Sequence, residues 1–288
     1  MGNVTSSAAS LVPVNMDLGV LLTALLLLAA AVAGWFRLDP HPHKSRALEI
    51  LVAGLRAAVQ LALVSVVVAW AVRSLPGLLA FLCLMYGVAV RTAGRRLTSN
   101  GTWWLAAAPI AAGVVPVVTA LLLTGLVPLK GIALIPVTGI LIGGALTVTV
   151  LAGRRALDEL SQRHGEVEAA MALGFADRDA RMEIARPAAS DALLPGLDQT
   201  RTVGLVTLPG AFVGMLLAGA GPVLAGAVQL FVLIALMAVQ SVAVAVTLEL
   251  VARHLLYRPL PDAQTASPHK TKRLNAHWRR AAPVSRGD

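Results

Sequence analysis

The chain has 288 residues, 57% of them hydrophobic and only 14% charged, and 24 Lys and Arg against 15 Asp and Glu give a formal net charge of +9. A mean hydropathy of +0.76 excludes an ordinary soluble domain, and a single cysteine, Cys83, excludes an intrachain disulfide and a multi-cysteine metal site. The expected fold is all-α and polytopic, because helices satisfy their own backbone groups in lipid.

Apolar runs of the length a bilayer requires occur at residues 18–36, 50–72, 75–90, 103–126, 132–152, 202–220 and 222–250, which predicts about seven transmembrane helices. The residues before the first run carry no Lys or Arg, so they lack the basic region of a cleaved signal peptide, and that run reads as a retained helix. Cys83 lies inside the third run and reads as a packing thiol. The loops at 37–49, 91–102 and 153–201 and the tail from 251 hold nearly all the Lys and Arg, while Arg73 and Lys130 stand in the loops between. By the positive-inside rule this places residues 1–17 outside and the C-terminus in the cytoplasm of a multi-pass cell-membrane (inner-membrane) protein. Contact with anionic membrane lipid accounts for the basic excess without invoking nucleic acid. A transmembrane domain is expected over 18–258. A disordered basic tail is expected over 259–288, where Pro259, Pro261 and Pro268 stand among scattered charges.

Polar positions within the runs are few. Arg56 and Gln60 share a helix face in the second run, either lining a route or with Arg56 snorkelling to the interface. Glu249, near the end of the last run, reads as interfacial or as a partner for Arg56 on the same side. Pro136 and Gly139 in the fifth run, and Pro209, Gly210 and Gly214 in the sixth, permit either close packing or a helix break.

The loop at 153–201 is the one large hydrophilic connection. Val167, Ala170 and Met171 recur at helical spacing; Gly174 supplies a stop, with Phe175 expected to pack back on the preceding turn. Asp177 is placed to cap a second helix running toward Arg186, which Pro187 should interrupt. Asp191 and Asp198 then frame Pro195 near Arg201, as cation-facing carboxylates or as caps and ion-pair partners. No Gly-x4-Gly-Lys-Ser/Thr loop is present, and no acid, base and nucleophile set, so the chain is not expected to be an enzyme or to bind ATP itself.

Glu168-Ala169-Ala170, Gly174, Ile184 and Pro187 together resemble the EAA loop of ABC transporter permeases, with Arg186 standing where that pattern has Leu. Asp191 to Pro195, Asp198 to Arg201, and the run from Thr202 through Gly204, Pro209 and Gly210 to Gly214 are similar to the FetB iron-export permeases and the related plant aluminium-tolerance permeases. So are Pro136 and Gly139 with their neighbours, and Arg56 and Gln60 in the second run. Where that family commonly has Gly-Asn-Ala-Met, this chain has Gly143-Gly144-Ala145-Leu146, so a substrate contact at that point is not carried over. The resemblance implies a homodimeric permease whose coupling helix docks on a separate ATPase subunit, which alone binds ATP and Mg, and it implies export of iron or another metal. Metal ligands cannot be assigned from the sequence. The alternatives are a self-contained secondary transporter or channel, or an ABC permease for a non-metal solute.

The charge segregation makes a direct prediction. A reporter fused after Arg258 should be active only in the cytoplasm, and one inserted beside Lys130 only outside; the reverse labelling would overturn the orientation.

Overall fold

The computed structural model describes residues 16–37, 45–125 and 131–258, with the side chains of 131–133 left out. The expected outer N-terminus, the loop around Lys130 and the basic tail fall largely or wholly outside those residues. The described chain is helical, with six helices long and apolar enough to cross a membrane.

It divides into two compact units, Met1–Arg73 and Ser74–Asp288. In the first, α1 (Met16–Trp35) and α2 (Arg46–Ala71) form an antiparallel pair. Gly54 lies against Leu26 and Gly34 against Ala47, so a glycine stands at each of these contacts between the two helices. Ser45 caps α2 by accepting from the Leu48 amide.

The second unit contains α3 (Leu75–Leu97), a 3₁₀ turn (Gly101–Ala106) leading into α4 (Ala107–Leu123), α5 (Gly131–Gln162), α6 (His164–Ala172) and α7 (Asp177–Ser190). A short 3₁₀ turn (Asp191–Leu193) follows, then α8 (Leu194–Thr202), α9 (Gly210–Leu217) and α10 (Pro222–Ala252). Three long helices run parallel. Gly139 meets Met85 and Gly153 meets Leu97, which sets α5 alongside α3 in the same direction. Gly144 meets Leu236 and Gly153 also meets Thr247, which does the same for α5 and α10. Between helices in lipid there is no hydrophobic drive, so such contacts depend on small residues that let backbones approach. Accordingly Ala93, Ala145, Ala152, Ala156, Ala243 and Ala252 are essentially sealed from solvent. α4 turns back on α3, with the Tyr86 hydroxyl donating to the Ala107 carbonyl at 2.9 Å, and Gly113 abuts the Val239 backbone of α10.

Four expectations need correction. Residues 202–220 do not form one crossing helix: α8 ends at Thr202, an irregular segment follows, and α9 has only 8 residues. Pro187 does not interrupt the second loop helix, since α7 continues through it to Ser190. Asp177 is not its cap. The cap residue is Ala176, and the Asp177 carboxylate instead accepts from Arg181 at 2.9 Å, one turn on. Cys83 also differs from its reading as a packing thiol, because the buried stripe of α3 runs through Leu78, Phe81, Ala89 and Ala93 and leaves the thiol exposed.

The return from the end of α5 to the start of α10 is made in pieces. Arg178 pairs with Glu249, Gly196 abuts Gln240, and residues 203–212 line a cavity with Gly226 to Leu233. From Glu249 back to Gly226, α10 climbs about 35 Å at 1.5 Å per residue, comparable with the ~30 Å of a bilayer core. The segment from α7 to α9 thus descends the length of α10 antiparallel to it, as a broken passage.

Close approach at Gly94 supplies a test of the packing. A Cβ there would lie 2.0 Å from the Trp103 carbonyl oxygen, a backbone atom that cannot swing aside. Gly94→Ala should cost about 1–3 kcal/mol, read as a lowered thermal midpoint in detergent. Gly87→Ala, with nothing within 4 Å of the added carbon, should leave the midpoint unchanged or raised.

Candidate functional site

Two features stand out in the connection between α5 and α10: a helical knob and a broken passage. The knob begins where Arg163 bridges Glu159 at 3.0 Å and Glu166 by a charged pair, fixing the corner between α5 and α6. That pair holds the Glu166 carboxyl below the usual carboxylate range. α6 buries Val167 and half-buries Ala170, while Glu168 and Ala169 face outward. It ends in a double hydrogen-bonded turn: the Phe175 amide donates to the Ala170 carbonyl and the Gly174 amide to that of Met171. Gly174 sits at φ +97°, where any side chain would be strained. The turn leaves Leu173 82% and Phe175 53% exposed, so Phe175 does not fold back onto the helix as its position implies.

α7 carries the knob back to the bundle. Ala180, Met182, Ala185 and Ala189 form its buried stripe, Ile184 is half-buried, and Pro187 is exposed. Its first turn is anchored by a fork in which Arg178 Nε and Nη2 reach the two Glu249 oxygens at 2.9 and 2.6 Å. Arg253 donates to the same carboxylate at 2.5 Å, so Glu249 joins the knob to the end of α10. The far end of α7 is tied more loosely, Arg155 of α5 lying 3.9 Å from Asp191. Beneath the knob lies a cavity of about 310 Å³ bounded by Leu157, His164, Val167, Arg181 and His254. Burial, reinforced by Arg181, pushes the His254 imidazole below its ordinary value, and its ring stacks on Tyr257 at 4.8 Å between centroids.

The broken passage starts at α8. Asp198 pairs with Arg201 at 3.4 Å, and the Thr202 hydroxyl donates to the Asp198 carbonyl. The Thr202 carbonyl then receives the amides of Leu205, Val206 and Thr207, closing a tight turn with Gly204 at φ +81°. Pro209, with no amide to give, stands at the N-cap of α9, which begins at Gly210 and contains Gly214. Gly204, Leu208, Pro209 and Phe212 face Gln229 and Leu233 of α10 across a cavity of about 250 Å³. Gln229 is 4% exposed and its side-chain oxygen is buried without a partner among the described residues. Gln240, 8% exposed, fills the place where Gly196 and Gly144 leave room; a Cβ on Gly144 would lie 2.2 Å from Leu236 and 3.5 Å from the Gln240 amide nitrogen.

The predicted residues are therefore only partly brought together. Gly204 and Pro209 share one cavity; Glu168, Ala169, Ala170, Gly174, Ile184 and Pro187 share the knob. Pro136 and Gly139 lie along α5, with Gly139 against Met85 of α3. Arg56 and Gln60 sit exposed on α2 in the other unit. Sequence reasoning missed Arg178 as an anchor, Leu173 as the tip and Gln229 as the buried amide. A polar residue recurring deep inside an apolar run was the available signal for the last. No group of three or more His, Cys, Asp or Glu that would hold a metal ion occurs among the described residues.

Comparison with known proteins adds the following. A family model described as "Uncharacterised protein family (UPF0014)" matches residues 16–256. The chain is 32% identical over 233 residues to "UPF0014 membrane protein STAR2" of Oryza sativa subsp. japonica, covering 80% of this chain and 79% of that protein. It is 36% identical over 158 residues to "Protein ALUMINUM SENSITIVE 3" of Arabidopsis thaliana, covering 54% and 57%. It is 30% identical over 142 residues to "Probable iron export permease protein FetB" of Escherichia coli (strain K12), covering 48% and 51%. No solved structure matches the chain.

If the Arg178–Glu249 fork fixes the knob, Arg178→Ala should speed amide hydrogen exchange severalfold across residues 164–182. Arg186→Ala removes only a loose 3.8 Å pair with Glu183 and should leave exchange there unchanged.

Proposed function

The chain belongs to the UPF0014 family of membrane proteins, and on that premise we propose that it is the transmembrane permease subunit of an ABC transporter. A separate ATPase subunit binds ATP and Mg and docks on the α6–α7 knob; two copies of the chain form the translocating unit. The observation that carries this reading is the knob itself. It is a short helix with an outward Glu168-Ala169 face and an apolar tip of Leu173 and Phe175, closed by a glycine turn and forked to the end of α10 through Arg178. A small-residue helix face of this kind fits a groove on a partner. The fork gives a push on the knob a direct route into a helix that crosses the membrane. The knob then lies in the cytoplasm, with the basic loops.

The broken passage supports a route for solute, because interrupted backbone at membrane depth persists where it lines a cavity or is covered by protein. Similarity to FetB supports iron or another metal ion as the exported substrate. A second reading, a non-metal solute, is favoured by the cavity at the break, whose lining is apolar apart from the Gln229 amide.

Proteoliposomes containing the permease and its ATPase test both levels. The knob assignment predicts that Gly174→Val, placing a β-branched residue at φ +97° at a cost of about 1–3 kcal/mol, weakens ATPase association about tenfold or uncouples hydrolysis, with membrane insertion intact. Normal docking and coupled hydrolysis in that variant would remove the assignment. Stimulation of turnover by Fe ions supports the metal reading; stimulation by a non-metal solute alone replaces it.

A further inference from the structure

We propose that an arginine-lined pocket at the joined ends of α3, α5 and α10 binds the phosphate of an anionic phospholipid headgroup. The pocket has a volume of about 550 Å³ and is lined by Arg95, Arg96, Arg154 and Arg258, with Asp158 as its one carboxylate. Four guanidinium charges against that carboxylate leave a local charge of +3. Asp158 is itself engaged by Arg258.

The fold builds this site from both ends of the second unit. Arg154 Nε donates to the Arg96 carbonyl at 3.0 Å and Arg258 Nε to the Leu97 carbonyl at 2.9 Å, using carbonyls that α3 leaves open at its C-terminus. The Thr98 hydroxyl and the Asn100 amide both donate to the Tyr257 carbonyl at 3.0 Å, which pins the segment after α10 in place. Each of these arginines is thus held at Nε, while both terminal nitrogens of Arg154 and one of Arg258 have no partner among the described residues. The Arg96 guanidinium has none there either. Guanidinium groups held at the stem with forked donors free match the oxygens of a phosphate.

The surroundings identify the source of that phosphate as lipid. Arg95 lies over the Trp103 ring at 5.9 Å, and Trp104 beside it is 59% exposed. Tryptophan and tyrosine concentrate at headgroup depth, and basic pockets between the ends of membrane helices take anionic headgroups. An aromatic rim beside four arginines, where three apolar helices end together, combines both signatures.

The test uses the full-length protein in detergent, with lipid retention followed by native mass spectrometry against phosphatidylglycerol, phosphatidylcholine and inorganic phosphate. Wild type should retain phosphatidylglycerol over phosphatidylcholine by about tenfold. Arg96→Gln should lower that preference about fivefold, as expected for one basic group at a membrane surface, and the Arg96→Gln/Arg154→Gln double variant should abolish it. Arg91→Gln, on α3 but outside the pocket, should change nothing. The single variant leaves every recorded hydrogen bond in place, so it remains informative if the double variant fails to fold. Equal retention of the two lipids, or an unchanged preference in Arg96→Gln, would overturn the proposal. So would inorganic phosphate displacing phosphatidylglycerol at equal concentration, which would assign the pocket to a free anion. Loss of ATPase binding in Arg96→Gln with lipid preference intact would likewise overturn it, assigning the pocket to an acidic segment of the partner.

Discussion

Everything in the second unit follows from the contact between α5 and its parallel neighbours. Gly144 and Gly153 let Leu236, Thr247 and Leu97 come to within side-chain contact of the α5 backbone, and the alanines around them leave no bulk to hold the helices apart. Parallel neighbours in a membrane carry a topological consequence. The chain leaves α5 at one end of the bundle and must re-enter α10 at the other, so a connection has to travel the full depth between them. Residues 163–221 are that connection, and both the knob and the helix break lie on it. The stretch where regular structure is least able to form is the stretch that carries the unusual geometry.

Within that connection the electrostatics are graded. At the start of α7 the Arg178–Glu249–Arg253 cluster is close and forked, whereas just past its end the Arg155–Asp191 pair is long and exposed. Under the knob there is open volume instead of the dense alanine packing of the helix seam. The knob is held to the bundle by the buried Ala180, Met182, Ala185 and Ala189 stripe of α7 and, at the first turn of α7, by the ionic joint to Glu249.

How much of this was legible follows from what each signal measures. Hydropathy located six spanning helices because burying backbone in lipid leaves little choice of composition. It also joined 202–220 into a span, since Leu205, Val206 and Leu208 are as apolar as any helix interior; only Gly204 and Pro209 hinted at a break, and glycine and proline occur in unbroken spans too. Pro136 and Pro187, both inside continuous helices, show why such residues are ambiguous. Gly174 was readable because positive φ at a helix end selects glycine strongly. Glu249 and Arg178 were not, since a pair separated by 71 positions leaves no local pattern.

That long separation has its extreme at the pocket wall, where Thr98 meets Tyr257 and Leu97 meets Arg258 across 159 and 161 positions. A helix inserted early in synthesis thus lacks the partner of its Leu97 carbonyl until Arg258, near the end of the unit, emerges from the ribosome, whereas Arg154 reaches the Arg96 carbonyl from only 58 positions on. At about 5–20 residues per second, that is an interval of roughly ten seconds or more during which α3 waits with an unfinished end. Tyr257 and Arg258 act as a closing latch on the end of α3, made of residues synthesised after every helix of the unit.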